Sequence, residues 1–245
     1  MFPLLKKELN VFLSSLIGYI TIIAFLAING LLLWVFHSGF NIFDYGFANM
    51  DGFFLLSPWI FLFLIPAITM RSFAEEKRSG TMELLLTKPL HDHTIIGAKF
   101  LSGLILVAIS LLPTIIYYIT IYQLSSPIGN VDTGAILGSY VGLLFLGTAF
   151  IAIGLFCSSI TRNQIVAFVL SILLCSFIYI GFDIIYNFSL FGSADLLIKS
   201  LGISHHYASV SRGVIDTRDI LYFLSVIGLF LLLTKISLQS RKWHK

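Results

Sequence analysis

Apolar residues gather along the chain in six stretches. Each is long enough to cross a hydrocarbon layer of about 30 Å at about 1.5 Å rise per residue. They cover Leu16–Phe36, Phe53–Met70, Phe100–Leu124, Ile136–Phe156, Ile165–Tyr186 and Ile220–Leu238. The first four carry no charge, the fifth holds Asp183 close to its end, and the sixth holds Lys235 near enough to an end to snorkel. The pattern predicts an all-α integral membrane protein of six transmembrane helices in a single domain, residues 1–245. Ahead of the first span, Phe2, Leu5, Leu9, Phe12 and Leu13 recur at helical spacing, while Lys6, Lys7, Asn10 and Ser14 take another face. That predicts an interfacial helix over residues 1–15, with its cations toward anionic lipid headgroups. The apolar run behind it is too long for a signal peptide and no A-x-A site follows, so an uncleaved first element is expected.

Polar character concentrates between spans two and three, from Ser72 to His93. Extending span two through Glu75, Glu76, Lys77 and Arg78 would place four charges in lipid, at roughly 10–14 kcal/mol. Residues 71–99 therefore lie outside the bilayer core. Ser79-Gly80 breaks the charged run, and Thr81–Lys88 reads as a short helix with Glu83 facing its positive end. Pro89 stops that helix, and Asp92 is placed to cap the helix that becomes span three. Two readings fit this segment. It is a lever whose Leu84-Leu85-Leu86 ridge enters a groove on a partner, or an amphipathic loop resting on headgroups. The long loop 187–219 is expected to be partly helical, with a Ser cap and a Gly stop over Ser193–Gly202.

Composition sharpens the assignment. Of 245 residues 58% are hydrophobic and 11% charged, where a soluble domain carries about 25% charged residues. The mean hydropathy is +0.96. The net charge of +3 is not gathered on a soluble face, so no nucleic-acid partner is expected. With the N-terminus in the cytoplasm, twelve Lys and Arg lie inside and only Lys199, Arg212 and Arg218 outside. The positive-inside tendency then puts both termini in the cytoplasm, in a multi-pass protein of the cytoplasmic (inner) membrane. Cys157 and Cys175 carry no metal spacing and no disulfide framework.

Candidate chemistry is sparse. No span has an ionisable group near its middle, so any transport would draw energy from outside the membrane region. Pro58, Pro66 and Pro113 predict kinks in spans two and three, and Gly138-x-x-x-Gly142 and Gly154-x-x-x-Ser158 predict close helix contacts around span four. His91-Asp92-His93 and His205-His206 lack metal-ligand spacing, because adjacent or alternate residues diverge on a helix; His205-His206 reads as surface polarity. No Gly-x-x-x-x-Gly-Lys-[Ser/Thr] cradles a phosphate, and no protease constellation reaches bilayer depth.

The stretch FAEEKRSGTMELLLTKPL, Phe73–Leu90, resembles the signature of ABC-2 type transporter permeases, Glu-Glu-x-x-x-Gly-Thr-[Leu/Met]-Glu-x-Leu-Leu-x-x-Pro. The match falls on Glu75, Glu76, Gly80, Thr81, Met82, Glu83, Leu85, Leu86 and Pro89, and Lys99 at the foot of span three also resembles the family pattern. SRGVIDTRDILYFLSVIGLFLLLT, Ser211–Thr234, is similar to the gliding-motility-associated subfamily. The resemblance implies a permease that is not itself an enzyme and holds no cofactor. ATP and Mg would be bound by a separate nucleotide-binding ATPase subunit, and a second permease half, identical or related, would complete the unit. It also implies a coupling helix after span two, whose contact residues would be Glu75, Glu76, Arg78, Gly80, Thr81, Glu83, Leu84, Leu85, Leu86 and Pro89. The alternative is a non-transporting membrane anchor or mechanotransmission subunit driven by an associated ATPase.

Overall fold

The computed structural model of the chain describes residues 2–82, 91–189, 192, 195–214 and 216–240. It is all-helical among these residues, and six of its helices are long and apolar enough to cross a membrane. Helix α1 (Phe2–Leu13) precedes the first span, α2 (Leu16–Trp34), and a short α3 (Ile42–Tyr45) follows it. The second span is α4 (Asp51–Thr69), continued after a break at Met70 by α5 (Arg71–Arg78). The third is α6 (Asp92–Leu111) and α7 (Ile115–Leu124), separated by a tight turn at Leu112–Thr114. The fourth is the unbroken α8 (Thr133–Ile160). The fifth is α9 (Gln164–Ser176) running through a wide turn at Phe177–Gly181 into α10 (Phe182–Asn187). Two cap helices, α11 (Asp195–Ser200) and α12 (Ile203–Val210), then lead to the sixth span, α13 (Thr217–Gln239).

Polar side chains set where the spans begin. Ser15 Oγ accepts the Gly18 amide at 3.1 Å, Asp132 Oδ1 that of Ala135 at 2.9 Å, Asn163 Oδ1 that of Ile165 at 2.9 Å, and Asp216 Oδ1 that of Arg218 at 3.0 Å. Each satisfies an amide that a helix start leaves without a partner. Span three departs from expectation. Its cap position is His91, which makes no side-chain cap bond, and Asp92 is the first helical residue, held by Gln239 Nε2 at 3.3 Å.

Spans two and four form the centre: 67% and 78% of their apolar windows are buried, against 17–33% in the other four. Small residues on α8 explain its place. In lipid, helices gain nothing from hiding apolar surface from one another, so close packing decides who sits inside. A Cβ on Gly147 would stand 2.9 Å from Val107 Cγ1, and one on Gly138 would stand 2.8 Å from the Gly213 carbonyl oxygen. The spaced small residues thus serve contacts within the chain. Aromatic rings fill the space between span two and its neighbours, with Phe25 of span one stacked on Phe61 at 5.2 Å and Tyr140 of span four edge-on to Phe54 at 5.3 Å.

Pro58 frees a backbone group, and a neighbour takes it up. Pro58 has no N–H, so the Phe54 carbonyl lacks its helical donor; the buried Tyr207 hydroxyl of α12 donates to it at 2.7 Å. At the Pro113 turn, Thr114 Oγ1 donates to the Leu111 carbonyl at 2.7 Å and Tyr140 Oη donates to the Thr114 carbonyl at 3.0 Å. Placing Ala at Gly154 tests the packing around α8. Its Cβ would fall inside contact distance of Thr69 Oγ1 and 2.8 Å from Thr69 Cβ. G154A is expected to cost about 1–3 kcal/mol in unfolding assays in detergent. Adding T69A should recover part of that loss, so the pair is non-additive.

Candidate functional site: a buried ion cluster under the charged segment

At the end of the bundle that carries α1, three helices meet over one ammonium group. Lys99, in the second turn of α6, is 3% exposed. It lies on the stripe that also buries Ile95, Ile96, Ser102 and Leu106. Its Nζ bonds Glu76 Oε1 of α5 at 2.9 Å and Glu8 Oε1 of α1 at 3.2 Å, and sits 5.2 Å from the centre of the Phe73 ring. Lys7 adds an outer cation, 3.5 Å from Glu76 and 3.6 Å from Glu8. Two ammonium groups face two carboxylates, so the cluster is neutral as a unit. Glu8 and Glu76 share Lys99 and would repel without it. Beside them lies a cavity of about 220 Å³ whose walls include Val11, Arg71 and Thr81.

The break at Met70 is stitched by one hydroxyl. Ser158 Oγ of α8 accepts the amides of Phe73 at 3.0 Å and Ala74 at 3.1 Å, and donates to the Met70 carbonyl at 3.0 Å. Next to it, Lys77 Nζ and Ser237 Oγ both donate to the Ser159 carbonyl, the latter at 3.1 Å. The foot of α5 is therefore fastened to span four, at a carbonyl that span six also bonds, and its Glu76 to span three and α1.

The residues predicted as the contact divide. Glu76 turns inward to Lys99, whereas Glu75 and Arg78 are exposed. Gly80 stands at φ +73° with open space around it, so it is required by backbone conformation rather than by room. Thr81 is exposed, its hydroxyl 2.8 Å from that of Ser79, and Met82 is buried. Glu83, Leu84, Leu85, Leu86 and Pro89 lie outside the described residues, as does the expected Ser193 cap. Sequence reasoning missed Glu8. The signal was present: it is the one acid of α1, and it falls between Leu5 and Phe12 on the apolar stripe. It also missed Ser158 as a stitch, for which the sequence carries no signal beyond its small size.

Among the described residues, no group of three or more His, Cys, Asp or Glu is placed to hold a metal. His91 and His93 do not diverge, since His91 precedes the helix; their rings stack at 5.1 Å. His206 is not surface polarity either. It bonds Asp219 Oδ1 through Nδ1 at 2.7 Å.

A family model described as ABC-2 family transporter protein matches residues 4–238, nearly the whole chain. The chain belongs to the ABC-2 transporter family. This ABC-2 protein is a multi-pass membrane permease subunit and not itself catalytic, and membership brings partnership with an ABC ATPase and dimerisation in general terms. No curated protein matched it in a direct search. In this ABC-2 permease the cluster makes a mechanical prediction. Lys99→Met leaves two carboxylates with only the outer cation of Lys7 and should cost up to about 3–5 kcal/mol. Lys7→Ala, at a half-exposed position, should cost less than about 1 kcal/mol. Thermal unfolding in detergent measures both.

Proposed function

We propose that the chain is the transmembrane half of an ATP-driven transporter in the cytoplasmic membrane, with both termini in the cytoplasm. On this reading a separate nucleotide-binding subunit binds ATP and Mg and docks on residues 71–99. A second permease half, a copy or a related chain, completes the pathway. The observation that carries the reading is the shared bonding of Lys99 to Glu76 and Glu8. Through it, a push on the exposed segment moves α1, span two and span three together, while Ser158 passes the motion to span four. Glu75, Arg78, Gly80 and Thr81 supply the exposed part of the docking surface. The Glu83–Pro89 portion, with its leucine ridge, supplies the apolar anchor.

The likeness of Ser211–Thr234 to gliding-motility permeases supports a role in cell-surface motility machinery. A purely mechanical membrane subunit is the second reading. It draws on the cavity of about 320 Å³ between spans three and four, which has an apolar lining that includes Leu111, Ile115 and Leu144 and offers a polar cargo no path. Transport into sealed vesicles separates the two.

The coupling assignment is tested by affinity purification from native membranes. An ABC ATPase should accompany the wild-type chain, with its hydrolysis stimulated. Replacing Leu84–Leu86 with alanine should weaken that association roughly thirtyfold, the effect of about 2 kcal/mol at an interface hot spot. The protein should remain in the membrane. Undiminished binding and stimulation in that variant would overturn the assignment.

A further inference from the structure

At the opposite end of the bundle, α12 holds two spans at once. Tyr207 grips span two at the carbonyl that Pro58 leaves free, and the neighbouring His206 grips span six. His206 uses both ring nitrogens. Nδ1 lies 2.7 Å from Asp219 Oδ1, and Nε2 lies 2.8 Å from the Ser200 carbonyl oxygen at the end of α11. The ring stacks on Tyr222 at 3.9 Å, and Asp219 is 7% exposed.

These partners fix a proton count. A carbonyl only accepts, so Nε2 carries a hydrogen. Nδ1 facing the carboxylate then leaves two bonded arrangements. Either Nδ1 is protonated and donates to an ionised Asp219, or a protonated Asp219 donates to a bare Nδ1. Both hold one proton more than a neutral ring beside an ionised carboxylate. In that last state the ring has a single N–H: on Nε2 it leaves two lone pairs facing each other across 2.7 Å at Asp219, and on Nδ1 it leaves the Ser200 carbonyl facing a bare Nε2, in either case inside a buried site. Losing the proton therefore breaks one of the two contacts.

We propose that His206 and Asp219 form a proton-held clasp that fastens the cap to span six and, through α12, steadies its grip on the Pro58 turn of span two. Both residues line a cavity of about 1040 Å³ between the cap and the spans, so opening the clasp reshapes that cavity. The sign follows from the count. The folded contact favours the protonated pair, so its contribution is present at low pH and is lost as pH rises through the titration of the pair.

The other charged groups of this region have partners of their own. Asp183 of span five accepts from Ser204 Oγ, Lys199 of α11 lies 4.7 Å from the Tyr186 ring, and Arg212 Nε donates to the Ala208 carbonyl at 3.0 Å. The buried Asp195 of α11 is also partnered. The Arg218 amide holds the Asp216 carboxyl below its usual range, with the Arg218 charge assisting, and burial holds the Tyr207 phenol well above its own. Neither changes charge between pH 6 and 8. His205, exposed and 5.4 Å from His206, is the neighbouring imidazole and serves as the control.

The full-length chain in phospholipid nanodiscs tests the clasp by hydrogen exchange of residues 195–212, corrected for intrinsic rates. Protection should fall about tenfold between pH 6 and 8 in wild type, within the roughly hundredfold that release of one proton allows over two pH units. His206→Gln and Asp219→Asn should show low protection and a flat profile, and His205→Gln should keep the wild-type profile. Nitrogen-15 NMR of labelled histidine adds a readout that needs no disruptive variant. At pH 6 the His206 ring should show Nε2 protonated and Nδ1 either protonated or hydrogen-bonded to Asp219. A flat wild-type profile, a pH dependence that survives in His206→Gln or vanishes in His205→Gln, or a bare Nε2 at pH 6 would overturn the proposal.

Discussion

One buried ammonium group organises an end of this membrane bundle. Lys99 binds carboxylates that lie 23 and 91 residues away along the chain. A lone charge in so dry a place would be costly, and so would either carboxylate without it. The three helices that bring these groups are therefore held to one arrangement, and a shift of one forces a shift of the others. The cluster does not gain its importance from strength as an isolated ion pair, since desolvation offsets much of the attraction. Its importance lies in the cost of breaking it, which exceeds the gain of making it. On the proposed reading, that asymmetry is what lets a surface segment act on helices inside a membrane.

Span two is fixed at both ends by the same device, a neighbour filling a backbone vacancy. Near Pro58 the missing N–H leaves a carbonyl for Tyr207, and at the Met70 break Ser158 takes two amides and gives its hydrogen to a carbonyl. Hydrocarbon offers no water to satisfy such groups, so a kinked span needs these partners. The kinks thereby become points of attachment. The most strongly buried helix, α8, supplies one of them directly and packs against the other by way of the glycines that let the cap come close.

These attachments gather polar contacts at the ends of the spans rather than at their middles. Membrane depth holds aromatic and aliphatic packing, with no charged group at its centre. On the proposed reading, force from an ATP-driven partner enters at the Lys99 end and is felt at the cap end through a span gripped at both places. The cap, away from the proposed motor, carries the His206–Asp219 pair and a larger cavity than the Lys99 end does.

Much of this was legible in the chain. The six spans, the helix before them, the charged segment after span two and the helical cap all follow from where charge and apolar length fall. Hydrocarbon penalises a misplaced charge by several kcal/mol, and that penalty is local and additive enough to read residue by residue. The Gly and Pro positions likewise announced close contacts and breaks. Which groups meet was not legible. Glu8, Lys99 and Glu76 become one site only when three helices converge, and Ser158 becomes a stitch only because α8 lies against the Met70 break. His206 read as a surface residue because its partner stands 13 positions away on another helix. Sequence by itself determined what must cross the bilayer and what must stay out, since solvation of each residue decides that. Tertiary structure alone decided the pairings of the few polar groups, since a hydrogen bond depends on ångström distances between helices that no local pattern encodes.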